Sequence, residues 1–233
     1  MKKFLFPILF LFIAFNSFSQ QKKLKEYTHT QFLQLIASET DSIFTLKDAF
    51  IKYDEDDDSD HSYFSEGDHI EFEGQDSLVI DKIIELDNVH FEHKKDSEGQ
   101  GFPFITFKKD VRIYNASSAI FYKCIFEGTL EIDTNIFGNE SIDVFDKTYE
   151  NYEPDIAFYE CTFKNSVLLD TGAIENYSSV GVTILDCLFE PENEDFICEI
   201  YVNNIRETVF EENRFIGKGF LTLYIDTSTF TSV

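Results

Sequence analysis

Basic side chains are scarce in this chain. Lys and Arg number 19 against 44 Asp and Glu, a formal charge of −25 over 233 residues. A surface this acidic repels a nucleic-acid backbone and an anionic membrane alike, which excludes nucleic acid as a partner. Cysteine is scarce too, and four in a chain of this length do not make a disulfide framework. Tryptophan is absent, Met occurs once, and Pro and Gly number only four and ten. Long apolar runs are limited to one, at residues 4–15, so nothing after it is expected to insert in a membrane. What the chain has in abundance is phenylalanine, 27 residues, together with 11 Tyr. Hydrophobic residues at 43% and charged ones at 27% describe a folded globular chain rather than a disordered one.

The apolar run follows Met1, Lys2 and Lys3 and precedes Ser17 and Ser19, small residues at the spacing a signal peptidase accepts. A dozen apolar residues fall short of the roughly 20 needed to cross a bilayer. Residues 1–19 therefore read as a cleaved signal peptide and the chain as exported, either periplasmic or secreted. Loss of Lys2 and Lys3 takes the charge from −25 to −27 (−25 minus 2). The first cysteine is Cys124, far from the junction, so no lipid anchor is expected. Residues 20–40 form an N-terminal segment and 41–233 a single domain.

Set against itself, the second half repeats. FYKCIFEG at 121–128 matches FYECTFKN at 158–165, ILDCLFEP at 184–191 and FEENRFIG at 210–217, at offsets of 37, 26 and 26. In each block two large apolar residues lie five apart: Phe121 and Phe126, Phe158 and Phe163, Ile184 and Phe189, Phe210 and Phe215. Cys124, Cys161, Cys187 or Asn213 stands two before the second of them. A step of five matches neither a helix nor a strand. It suits a chain that turns a corner about every five residues, as around a square tube, with equivalent side chains stacked at the strand spacing of about 4.8 Å. One coil cannot bury its apolar face alone; the next coil supplies the partner. The large residue and the small one before it both point inward on this reading, which accounts for the recurring cysteine.

These blocks resemble the pentapeptide-repeat and right-handed parallel β-helix families over roughly residues 119–225. In the pentapeptide pattern a small residue precedes a central Leu or Phe, as in CIFEG at 124–128, CTFKN at 161–165 and NRFIG at 213–217. The resemblance implies an all-β fold, a right-handed parallel β-helix, with loops between coils. Such folds host enzymes, adhesins and inert scaffolds alike. Some cytoplasmic pentapeptide-repeat proteins mimic DNA with an acidic rod, but the leader directs this chain elsewhere.

Upstream, strand-like runs at 42–46, 69–72, 78–86, 89–91 and 104–113 read as earlier, less regular coils, with Val89, Phe91, Ile105 and Phe107 inward. Phe32, Leu33, Leu35 and Ile36 cluster on one helical face, which predicts a short amphipathic helix over 30–38 capping the open end of the stack. Residues 221–233, rich in Thr and Ser, read as a polar last strand. The acidic stretches at 54–61 and 133–155 and the polar one at 93–101 read as loops.

The run containing Asp54, Asp56, Asp58 and Asp60 supplies weak calcium candidates. An EF-hand loop begun at Asp54 needs Gly and Glu where Ser59 and Ser65 stand, so a solvated acidic loop is the plainer reading. His90 and Glu92 share an outward strand face, with His93 opposite, a grouping that falls short of a zinc site. Cys198 alternates inward with its neighbours, and the cysteines read as buried small hydrophobes, with pairing left open by the near-fit of adjacent coils to disulfide geometry. Three arginines, Arg112, Arg206 and Arg214, lie far apart, without the basic cluster of a pectin-cleaving lyase, and no nucleophile elbow, phosphate loop or zinc-protease motif occurs. No cofactor beyond calcium is indicated. The chain reads as a non-catalytic binding or scaffold protein of the cell envelope or exterior, its partner a protein or glycan. The alternative is a carbohydrate-active β-helix enzyme, a polysaccharide lyase or glycoside hydrolase.

Overall fold

A computed structural model describes residues 24–52, 78–91, 102–116, 119–134, 155–171, 181–191, 197–203, 208–226 and 230–232. The fold is all-β with one helix, and its strands lie in three parallel sheets. The first sheet has eight strands in the order β1 (Lys25–Thr28), β2 (Ile43–Lys52), β4 (Ile83–Phe91), β7 (Val111–Tyr114), β10 (Leu130–Asp133), β13 (Val167–Thr171), β16 (Ile197–Asn203) and β19 (Phe220–Asp226). The second runs β5 (Phe102–Pro103), β8 (Ala119–Tyr122), β11 (Asp155–Tyr159), β14 (Gly181–Leu185), β17 (Thr208–Glu211) and β20 (Phe230–Ser232). The third runs β3 (Leu78–Ile80), β6 (Ile105–Phe107), β9 (Ile125–Phe126), β12 (Thr162–Phe163), β15 (Leu188–Phe189) and β18 (Arg214–Phe215). From β5 to β19 the chain visits second, third and first sheet in unbroken rotation.

Three sheets stand where the five-residue step suggests a four-sided section, and the reason lies at one corner. Phe104, Lys123, Glu160, Asp186 and Glu212 all have φ between 50° and 56°, and each separates a second-sheet strand from a third-sheet strand. The left-handed residue turns the chain and resets the inward alternation, so Phe121 and Phe126 both point inward across a single corner. Each non-glycine residue in this conformation costs about 1–2 kcal/mol. The expense is offset by the ladder: the corner N–H donates to the next rung, as from Lys123 to Tyr159 O and from Glu160 to Leu185 O, both at 2.9 Å. The residue after the corner is the recurring cysteine. Its thiol donates to a carbonyl one rung back: Cys124 to Phe102 O at 2.7 Å, Cys161 to Phe121 O and Cys187 to Phe158 O at 3.5 Å. Asn213 makes the equivalent bond to Ile184 O at 2.8 Å. The position therefore selects a small inward donor, and volume alone, the sequence-based explanation, is half the account.

Phe121, Phe158, Ile184 and Phe210 lie opposite one another in the second sheet, and Phe126, Phe163, Phe189 and Phe215 in the third. The rings stack face to face: Phe126 on Phe163 at 5.2 Å, Phe163 on Phe189 at 4.8 Å, Phe189 on Phe215 at 4.4 Å. All four cysteines are buried free thiols. Burial, reinforced by the flanking Cys124 and Cys187, pushes the Cys161 thiol well up, and burial pushes Cys198 up to about 12.

One end of the stack is closed by α1 (His29–Ser38). Thr28 caps it, accepting from the Gln31 N–H while Gln31 returns a bond to the Thr28 N–H. Phe32 and Ile36 are buried, and the Phe32 ring meets Phe44, Phe91 and Phe102 edge to face at 5.6–6.1 Å. At the far end, the polar last strand expected over 221–233 is instead two strands, β19 and β20.

Rungs approach closely at Gly128. A Cβ there would lie 2.3 Å from the carbonyl carbon of Lys109 and 2.5 Å from the amide nitrogen of Asp110. Backbone cannot swing aside as a side chain can, so Gly128→Ala is expected to lower stability by about 2 kcal/mol and the melting temperature by about 4–8 °C. A melting curve superimposable on the parent would show that the two turns are not in contact.

Candidate functional site

In a β-strand successive side chains face opposite sides, and the first sheet uses this consistently. Phe44, Ile84, Val111, Leu130, Val167 and Cys198 share one inward register. Outward lie two straight files of side chains. One reads Thr45, Glu85, Arg112, Glu131, Leu168, Glu199, Thr222; the other Lys47, Asp87, Tyr114, Asp133, Asp170, Tyr201, Tyr224. The β-pleat sets the direction of each side chain and the parallel register sets the file, so neither depends on a loop.

The half of this face nearer α1 is a charge-paired depression of about 330 Å³ lined by Lys47, Glu85, Asp87, Arg112, Tyr114 and Glu131, among others. Arg112 bridges Glu85 at 2.9 Å and Asp110 at 3.0 Å, and Lys47 reaches Asp87 at 3.0 Å. The hydrogen bond from Asn115, aided by Lys47, holds the Asp87 carboxyl below its ordinary range. Partial burial, then the Glu131 carboxylate, raise the Tyr114 phenol.

The other half changes character. Asp133 and Asp170 stand directly opposite on adjacent strands, and Asp170 then faces Tyr201. Partial burial and the neighbouring Asp133 charge push the Asp170 carboxyl up. Tyr201 and Tyr224 follow with ring centroids 6.0 Å apart. Tyr114 closes the group on the opposite side of Asp133. Two carboxylates flanked by phenol rings, all in one file on an open surface, can accept hydrogen bonds from hydroxyl or ammonium groups and pack against an apolar ring face.

Of the residues singled out in the sequence, the cysteines and the stacked phenylalanines from Phe121 to Phe189 are interior, while Phe210 is half-buried and Phe215 is exposed. Asp54, Asp56, Asp58 and Asp60 lie outside the described residues, as do residues 1–19, 69–72, Glu92, His93, Arg206 and the interior of the 133–155 stretch. Among the described residues no group of three or more His, Cys, Asp or Glu is placed to hold a metal ion, and no helix is long and apolar enough to cross a membrane. His90 is not on an exposed polar face: it is fully buried, opposite Phe50, with its Nε2 2.8 Å from Asn88 Oδ1. Val89 and Phe91 join the core cluster and Phe50 does not, so His90 lies on the face away from the core and is covered there.

The outward files escaped the sequence reading, although a signal exists. FTLK, IELD, VRIY, LEID, VLLD, CEIY and LTLY, beginning at 44, 84, 111, 130, 167, 198 and 221, are seven copies of one tetrad that ends in Lys, Asp or Tyr. Comparison with known proteins leaves the chain on its own geometry: no family model, no curated protein and no solved structure matches it.

Proposed function

We propose that the chain is an exported, non-catalytic right-handed parallel β-helix whose flat outer face binds a glycan. The file Tyr114–Asp133–Asp170–Tyr201–Tyr224 carries this reading. Tyrosine rings in line pack on the apolar faces of successive sugar rings, and carboxylates between them accept sugar hydroxyls. The net charge of −25 repels uronates and sulfated polymers, so the ligand is a neutral or amino-sugar polysaccharide. Export follows from the leader-like residues 1–19, and N-terminal sequencing of the secreted chain is expected to begin at Gln20.

The test is retention on immobilised neutral and amino-sugar polysaccharides, with an anionic polymer as control. Tyr201→Ala is expected to weaken binding about tenfold, close to 1.4 kcal/mol, with an unchanged melting temperature because the side chain is exposed. Equal retention of parent and variant would remove the face from consideration.

A second reading has one observation in its favour. Asp133 and Asp170 stand opposite on adjacent strands, so their backbones lie one strand spacing, about 4.8 Å, apart, which brings the roughly 5–5.5 Å carboxyl separation of retaining glycosidases within reach of their side chains. The raised Asp170 would be the proton donor and Asp133 the nucleophile. Release of reducing sugar by the parent, abolished in Asp170→Asn, selects this reading; binding without release selects the first.

A further inference from the structure

We infer that two copies of this chain associate through the ends of their stacks farthest from α1, with β19 of one pairing antiparallel to β19 of the other. The two ends of the molecule are built differently. The α1 end carries the helix and a short edge strand, β1, which holds Lys25 and Glu26; Glu26 is bridged to Lys52 at 2.6 Å. Charge, brevity and a covering helix are the usual protections of a sheet edge. At the opposite end no helix covers the edge among the described residues, and the edge strand is long and nearly uncharged. β19 is the last strand of the first sheet, seven residues long, with Asp226 its only charge, and it contains no proline.

The side chains there are those of an interior. Val111, Leu130, Val167 and Cys198 occupy Leu221's register and are at most 2% exposed, yet Leu221 is 45% exposed. Phe107, Phe126, Phe163 and Phe189 are at most 1% exposed, and Phe215, next in the same file, is 43% exposed. The sequence thus keeps core residues in a rung that nothing among the described residues covers. Phe215, Ile216, Phe220, Leu221 and Leu223 together leave on the order of 500 Å² of accessible surface per end. Two such ends bury roughly 1,000 Å², the lower bound of a specific interface.

The occupant is a second copy rather than an open chain of copies, because the helix-capped end cannot receive the apolar one. Only like ends can meet, which is an isologous, closed pairing. A register centred on Leu223 sets Leu223 against its own copy and Thr222 against Tyr224. Opposed residues in an antiparallel pair share a face, so inward meets inward and the tyrosine file continues across the junction. Only one charged residue per strand takes part, so no like charges are opposed.

Sedimentation velocity of the full chain between about 1 and 100 μM is expected to show a monomer–dimer equilibrium, as the modest area predicts. Leu223→Lys is expected to abolish the dimer, and Thr45→Lys, on the outer face beside α1, to leave it intact. Leu223→Cys is expected to give a disulfide-linked dimer on mild oxidation, since the four native cysteines are buried; this second variant decides the matter should the lysine variant misfold. A monomer at every concentration overturns the inference. So does a dimer that persists in Leu223→Lys, the absence of the cross-link, or a series of species larger than a dimer. Glycan retention by Tyr201→Ala plays no part in this test, and either proposal can fail alone.

Discussion

Phe163→Ala is expected to destabilise the chain by about 4 kcal/mol, within the range for truncating a fully buried phenylalanine. The ring is 1% exposed and lies between Phe126 and Phe189, with Phe158 edge-on at 5.5 Å. Removing it deletes both stacked contacts and leaves a gap that rungs held by continuous backbone ladders cannot collapse to fill. For a chain of this size the melting temperature should fall by about 8–16 °C. Phe215→Ala, two positions along the same file but 43% exposed, should lose about 1 kcal/mol when measured in the Leu223→Lys background that keeps the end open. Urea titration of both variants measures the contrast. Equal losses would mean that the stack does not gain its stability rung by rung, since position in the file is then irrelevant.

His90 is expected to make stability fall as the solution is acidified from neutrality. Burial holds the imidazole neutral and lowers its pKa to about 3, against about 6.5 in the unfolded chain. Below pH 6.5 the unfolded chain binds a proton that the folded chain refuses. The stabilising contribution is therefore complete above 6.5 and is lost as pH falls toward 3, at about 1.4 kcal/mol per pH unit. Between pH 6.5 and 4.5 this one residue should remove about 2–3 kcal/mol. Acidification also relieves the repulsion among 44 carboxylates, which acts in the opposite direction. The comparison that isolates the histidine is with His90→Gln, which remains neutral and retains a donor for Asn88 Oδ1. The difference in urea midpoint between parent and variant should change steadily over this window. Parallel midpoints from pH 7 to 4.5 would show that the ring is hydrated in the folded chain.

The helix was legible because an amphipathic spacing is a local signal: Phe32 and Ile36 face one way whatever surrounds them. The all-β, parallel character was legible for a related reason, since blocks such as FYKCIFEG and FYECTFKN repeat one local backbone route around a left-handed corner. His90 was misassigned because alternation tells which face of a strand a residue takes and not whether that face is covered: Val89 and Phe91 join the core as expected, and His90 on the other face is buried all the same. The tyrosine–carboxylate file was hidden by its spacing. Its tetrads start 40, 27, 19, 37, 31 and 23 residues apart by subtraction, because connections of different lengths intervene.

Residue types, periodicity and local turns determined on their own that this chain makes strands, caps one end with a helix and stacks phenylalanine. Which outward side chains became neighbours was decided only when parallel pairing brought strands from separate rungs into register. Hydrophobic burial constrains the inward residues strongly enough to leave a pattern in the sequence, whereas Asp133, Asp170 and Tyr201 are brought side by side by backbone hydrogen bonds between rungs, and these read no side chain.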